Sequence, residues 1–140
     1  MKKVVKKTVE PAALDRVVLD SGAVSALAQR SAKALALLEA LRAGGALPRV
    51  PTVVLVESLR GDSQRDAQTH RFLRMCEIVD GIPFSLARRA AKLRTRARRG
   101  SAVDALVVAL AEPDGVVLTS DSPDLTALAA HADHVRVERV

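Results

Sequence analysis

Four carboxylates of this sequence sit where charge is out of place. Asp20 ends the β-branched run "RVVLD", Glu57 follows "TVVLV", Asp104 lies three residues into "SAVDALVVALA", and Asp121 closes "GVVLTSD". Any one of them has a plain structural reading. Asp20 and Asp121 could each open a turn, and Glu57 could be a solvated helix residue. Ser101-x-x-Asp104 also fits a capping box, in a first turn that suits an acid. Together they ask for more. In an open parallel sheet the carboxyl ends of the strands share one crevice, and acids gathered there without bases repel one another and resist joint ionisation. A divalent cation resolves that conflict. With oxygen donors and no Cys or His in the set, the chemistry suits Mg²⁺ or Mn²⁺ rather than zinc.

The elements that must position these acids follow from the pattern. "RVVLD" (16–20) reads as a strand feeding a helix over "SGAVSALAQ", with Ser21 as a candidate cap. Helical spacing from Ala34 to Leu41, ended at Gly44, predicts a second helix. A short strand near Arg49 and Val50 then leads into a helix through Glu57. "SQRDAQTHRFLRMC" reads as a surface helix, "EIVDGIPF" as a strand and turn, and "SLARRAAKLRTRARRG" as a basic helix closed by Gly100. "SAVDALVVALAEP" is a buried helix stopped at Pro113. A strand over "DGVVLTSD", a helix capped by Ser122 with Pro123 at its first position, and a last strand "VRVERV" complete the chain. Strands alternate with helices without a hairpin signal, so a parallel sheet covered by helices is expected.

Composition narrows the function. The 140 residues are enough for one domain with a single core, and 49% are apolar, mostly Ala, Val and Leu. Aromatics make up 1%, which nearly excludes base stacking; any nucleic acid must be held through charge and metal. The net charge of +6 attracts polyanions or acidic protein segments. Cys76 is the one cysteine, so an intrachain disulfide and a cysteine-based zinc site are excluded, in keeping with a reducing cytoplasm. No apolar run approaches a membrane span, and the basic start lacks the apolar core of a signal peptide, so a cytoplasmic protein with no membrane partner is expected. Residues 1–15 read as a basic N-terminal extension and 16–140 as the domain proper.

In order, "VVLDSGAVSAL" with Asp20, "PTVVLVESLRG" with Glu57, "SAVDALVVALA" with Asp104 and "VVLTSDSPDLTALA" with Thr119, Asp121 and Asp124 resemble the PIN-domain ribonucleases, and among them the VapC-type toxins of bacterial toxin–antitoxin pairs. The resemblance implies an α/β/α sandwich around a central parallel sheet and a metal-dependent endoribonuclease. It also implies a homodimer and a cognate antitoxin encoded beside it. Asp20, Glu57, Asp104 and Asp121 would hold one or two Mg²⁺ or Mn²⁺ ions, and cleavage of RNA by water would leave a 3′-hydroxyl and a 5′-phosphate. Thr119 matches the family's hydroxyl residue two positions before the last acid, a support for a ligand or a phosphate contact. Ser21, beside Asp20, is a further candidate ligand or support. Asp124 lies just inside a helix, where dipole stabilisation and metal contact are alternatives. In the family the first Asp comes closer to the start than it does here.

The segment 86–99 carries Arg88, Lys92, Arg96 and Arg99 on one helical stripe and Leu86, Ala90, Leu93 and Ala97 on another. No acid interrupts it, and both a solvated face and an RNA-backbone contact remain open. The alternative to an enzyme is a non-catalytic module that uses this helix to bind RNA or a partner's acidic segment. His131 and His134 precede the final strand with no acid set of their own and are not assigned to metal, and Cys76 reads as a small buried apolar residue.

Overall fold

Short apolar runs become the strands of one sheet. The structure, a computed structural model, describes residues 16–29, 32–120 and 123–140. The expected extension over 1–15, Asp121 and the expected cap Ser122 lie outside the described residues. Strands β1 (Val17–Leu19), β2 (Arg49–Pro51), β3 (Glu77–Val79), β4 (Val116–Thr119) and β5 (Arg136–Arg139) pair in the order β3-β2-β1-β4-β5, all parallel. Every residue of β1 and β4 is buried, as befits central strands covered on both faces, whereas the edge strand β5 is largely exposed.

The helices are α1 (Ser21–Ala28), α2 (Ala32–Ala43), α3 (Thr52–Ser58), α4 (Ala67–Leu73), α5 (Phe84–Ala97), α6 (Ala102–Ala111) and α7 (Pro123–Ala129). They form two layers. Helix α1 packs on α2, α3 and α4, helix α6 packs on α5 and α7, and both touch β1 and β4. This is the α/β/α sandwich that the resemblance implies, built on the parallel sheet that the strand–helix alternation predicts. Helix α6 is apolar on nearly all sides because it lies between the sheet and two helices, with Ala105, Val107, Val108, Ala109 and Ala111 all buried.

The chain runs outward from β1 to β3, then returns to place β4 on the other side of β1. The carboxyl ends of β1 and β4 therefore flank the point where strand order reverses, the crevice in which ligands of open α/β sheets bind.

Three boundaries differ from expectation, each for a local reason. Asp20, not Ser21, caps α1: its backbone is extended and its side chain accepts the Ala23 N–H, while Ser21 is the first helical residue. The surface helix expected from Ser63 shortens to α4, because Asp62 Oδ1 takes the N–H groups of Gln64 and Arg65. The Asp66 carboxylate takes those of Arg60, Gly61 and Asp62, and a loop replaces the first turns. Helix α5 stops at Ala97, because Arg98 adopts the left-handed conformation at φ 58° before Gly100 is reached.

Candidate metal centre

Asp20 continues the sheet by one rung, its N–H donating to Leu118 O at 3.2 Å, and then turns the chain into α1. The residue is 8% exposed and its carboxylate is held from two sides: Oδ1 accepts the Ala23 N–H at 2.8 Å and Oδ2 accepts the Thr119 hydroxyl at 2.7 Å. The second bond joins the ends of β1 and β4 across the switch point. Gly22 lets the two segments approach, since a Cβ there would strike the Ser120 hydroxyl.

Electrostatics set this carboxyl apart. Burial pushes its pKa above the ordinary Asp value; the Thr119 hydroxyl and the Ala23 N–H pull it back, and the charge of Asp104 adds to the rise. Asp104 is brought there by α6, whose N-terminus lies at the same edge because its C-terminus leads into the start of β4. The capping box is formed: the Asp104 N–H donates to Ser101 Oγ at 3.0 Å, and the Ser101 N–H donates to Asp104 Oδ2 at 3.4 Å. The return bond is long and weak, so the cap orients the half-buried carboxylate without using up its acceptor capacity. Capping and proximity to Asp20 are thus compatible roles of one side chain.

Asp20 and Asp104 form a pair of like charges, and no Lys or Arg forms an ion pair with either among the described residues. Two carboxylates with oxygen neighbours fit a hard cation, and Mg²⁺ in particular takes one or two carboxylates and fills its remaining positions with water and substrate phosphate. Among the described residues no group of three or more acidic, His or Cys side chains converges on one point. Glu57 therefore does not join the pair: it lies in the last turn of α3 and is exposed. Ser21 stands half-buried next to Asp20. Asp124, in the first turn of α7, forms an ion pair with Arg99 at 2.7 Å.

The basic segment is not the uniform stripe its spacing suggests. Arg88, Lys92 and Arg96 are exposed on α5 over buried Ala90 and Leu93, and Arg88 lies 5.7 Å from the centre of the Phe84 ring. Arg99 falls beyond the end of the helix. Arg89 is neutralised from outside the segment, by a fork of 2.8 and 2.7 Å onto Glu112. The His134 imidazole does have acids beside it, Asp133 at 3.2 Å and Asp114 at 3.5 Å, on an exposed surface. Cys76 is half-buried, its thiol pushed up to about 12 by burial, which leaves it inert.

The model of the PIN domain matches residues 17–130, a span that takes in both site acids and all but the last strand. The chain belongs to the PIN domain family. None of the curated proteins matches it by sequence. A similar solved structure is a chain of VapBC2 from Rickettsia felis bound to a DNA fragment from their promoter. The two superpose with a TM-score of 0.67 at 19% identity, over 89% of this PIN domain chain and 98% of the other. No helix among the described residues is long and apolar enough to cross a membrane.

Three residues that hold this PIN domain's architecture carry no signal of chemistry in the sequence: Asp66, Glu112 and Gly22. Asp66 and Glu112 each stand beside turn residues, "RGDSQRD" and "EPDG", and that was the available clue.

Proposed function

We propose that this PIN domain is a divalent-metal-dependent endoribonuclease and the toxin of a toxin–antitoxin pair, acting as a homodimer with an antitoxin as its protein partner. The observation that carries the reading is the buried Asp20, raised by burial and by the charge of Asp104 at the strand-order switch point. A carboxylate kept in that position without an internal base is costly unless a cation completes it. The likeness to VapBC2 supports the antitoxin partner. When bound, Mg²⁺ or Mn²⁺ supplies a water made nucleophilic near neutral pH and positive charge against the phosphate. Asp20 and Asp104 hold the cation, and Thr119 fixes the rotamer of the Asp20 carboxylate by donating its only hydroxyl proton. Asp121, two residues past β4 in the sequence, is the third ligand of the reading; Glu57, exposed on α3, stands apart from the pair.

The purified protein, freed of antitoxin, is expected to cut RNA with Mg²⁺ or Mn²⁺ and not with chelator, leaving 3′-hydroxyl and 5′-phosphate ends that sequencing of the fragments identifies. Asp104→Asn keeps the cap acceptor and removes the charge, so it should fold and lose at least 100-fold in cleavage rate, about 2.7 kcal/mol of barrier. Undiminished cleavage by that variant would return Asp104 to capping alone, and no cleavage by the wild type would leave a non-catalytic binding module.

A further inference from the structure

Helices α5 and α6 run antiparallel. Arg89 meets Glu112 at one end, and Arg94 Nε donates to Gly100 O at 3.0 Å at the other. The C-terminal end of α5 therefore reaches the carboxyl edge of the sheet, with three residues between Ala97 and the Ser101 cap that orients Asp104. There the surface opens into a cleft of about 410 Å³ lined by Ala91, Arg94, Thr95, Arg98, Arg99 and Gly100. Arg99 is tied by Asp124 to the first turn of α7, so the cleft adjoins the start of that helix. Arg94 and Arg98 form no ion pair among the described residues.

Arg98 stands out within it. Its φ of 58° is one that glycine or asparagine adopts at a helix exit with less strain, and its side chain is exposed, so it contributes nothing to the core. A strained position occupied by an exposed guanidinium without an ion-pair partner among the described residues is explained if the guanidinium meets something outside the chain.

We propose that this cleft is the docking subsite for the phosphate backbone of a single-stranded RNA, with the Arg94 and Arg98 guanidiniums and the Thr95 hydroxyl as its donors. The subsite serves the strand that the Asp20–Asp104 centre cuts, and to that extent rests on the nuclease reading above. Base stacking cannot hold the strand here: the sequence has two Phe and no Trp or Tyr. Phe72 is fully buried, and Phe84 lies at the far end of α5, about 20 Å away at 1.5 Å per residue. Affinity must then come from phosphates, for which planar guanidinium forks are well shaped. A strand with a charge at every nucleotide can run from the acid pair to the cleft along the same sheet edge. An acidic peptide gains nothing by running on toward two carboxylates.

The test is fluorescence anisotropy of a labelled single-stranded RNA with the full chain, in chelator so that nothing is cut, across a KCl series. Arg94→Gln and Arg98→Gly should each weaken binding several-fold at low salt and flatten the slope of log affinity against log salt by about 0.7, the value of one single-strand phosphate contact. Arg42→Gln removes the same charge from the exposed end of α2, which leads into the start of β2 at the opposite sheet edge, and should change neither. Arg98→Gly should melt no lower than wild type, because glycine accepts that φ without strain, so its binding defect is not a folding defect. Unchanged slopes in both cleft variants, or an equal change in Arg42→Gln, overturn the subsite. So does a polyglutamate peptide whose binding depends on Arg94 and Arg98 more strongly than that of RNA, which would assign the cleft to an acidic protein segment. Failure of the wild type to cut RNA with Mn²⁺ overturns the nuclease reading and leaves these slopes to be judged separately.

Discussion

Glu112 and Asp104 sit at the two ends of helix α6, and the fold treats them in opposite ways. Glu112 receives a bidentate Arg89 at 2.8 and 2.7 Å and the Asp133 N–H at 2.8 Å. Burial alone would raise its carboxyl, but these partners together hold it below the ordinary Glu value, and Arg89 is raised in turn by the same bonds. At the other end Asp104 faces Asp20, whose carboxyl moves upward under burial and like charge. One acid is completed within the chain; the other pair is left incomplete. Where charge serves architecture, the fold supplies the counter-charge itself. Where it is left unmatched at a ligand crevice, the missing partner is, under the proposed function, a cation from solution.

The largest effect expected from this contrast is metal-linked stability. A cation that binds only the folded protein stabilises it by about 2.7 kcal/mol at 100-fold excess over its dissociation constant. Thermal unfolding with Mn²⁺ and with chelator, at fixed ionic strength, reads this directly. Asp20→Asn keeps an acceptor for the Ala23 N–H, and the Thr119 hydroxyl can rotate to accept from the new amide. The metal-free variant should therefore be no less stable than wild type, while its gain from Mn²⁺ shrinks. The sign with pH follows from the raised carboxyl. Between the ordinary Asp value and the raised one, the folded state holds a proton that the unfolded state has lost, so metal-free stability falls as pH rises through that interval. The Asn variant should lack this slope. A wild type indifferent to Mn²⁺ would remove the cation centre and the contrast with it.

A smaller and opposite effect is expected at Glu112. Glu112→Gln should lower stability by about 1 kcal/mol, a value discounted for the partly exposed Arg89. The loss should be identical with Mn²⁺ and with chelator. Because the folded carboxyl is depressed, its contribution is complete above the unfolded Glu value and disappears as pH falls through the folded one. The melting curves of variant and wild type should therefore converge in acid. A Mn²⁺-dependent difference would mean that the two ends of α6 are not independent.

Much of this architecture is legible in sequence because parallel strands buried on both faces read as unbroken β-branched runs, and an acid at the end of such a run has few places to go. Asp20 and the partnership of β1 with a returning β4 follow from that pattern. The neutral end of α6 does not, because Glu112 finds Arg89 at a sequence separation of 23, which no local pattern encodes. Glu57 misleads for the converse reason: "TVVLV" looks uniformly buried, yet in a seven-residue helix Val54 is fully buried and Val56 is 82% exposed. At the end of α5 the stronger punctuation of Gly100 concealed the left-handed Arg98, and with it the departure of Arg99 from the basic stripe.

The smallest expected effect concerns Asp66, a third treatment of a buried acid. It has no salt-bridge partner among the described residues. Instead its carboxylate takes the N–H groups of Arg60, Gly61 and Asp62, of which Arg60 is the main cause of its lowered pKa; burial opposes them, and His70 adds a favourable charge. The loop after Glu57 is thus fixed by backbone donors converging on one side chain. Asp66→Asn leaves one carbonyl oxygen where two carboxylate oxygens served, so some of these donors must turn to solvent. Amide hydrogen exchange should accelerate at residues 60–62 and stay unchanged in β1 and β4, with little change in global melting. The same acceleration should appear in the wild type as pH falls through the depressed carboxyl, after correction for intrinsic exchange, since protonation removes the charge that holds the loop. If exchange rises equally in β1, Asp66 is supporting the whole sheet rather than one loop, and the division between acids that build the fold and acids left for a ligand would need a different boundary.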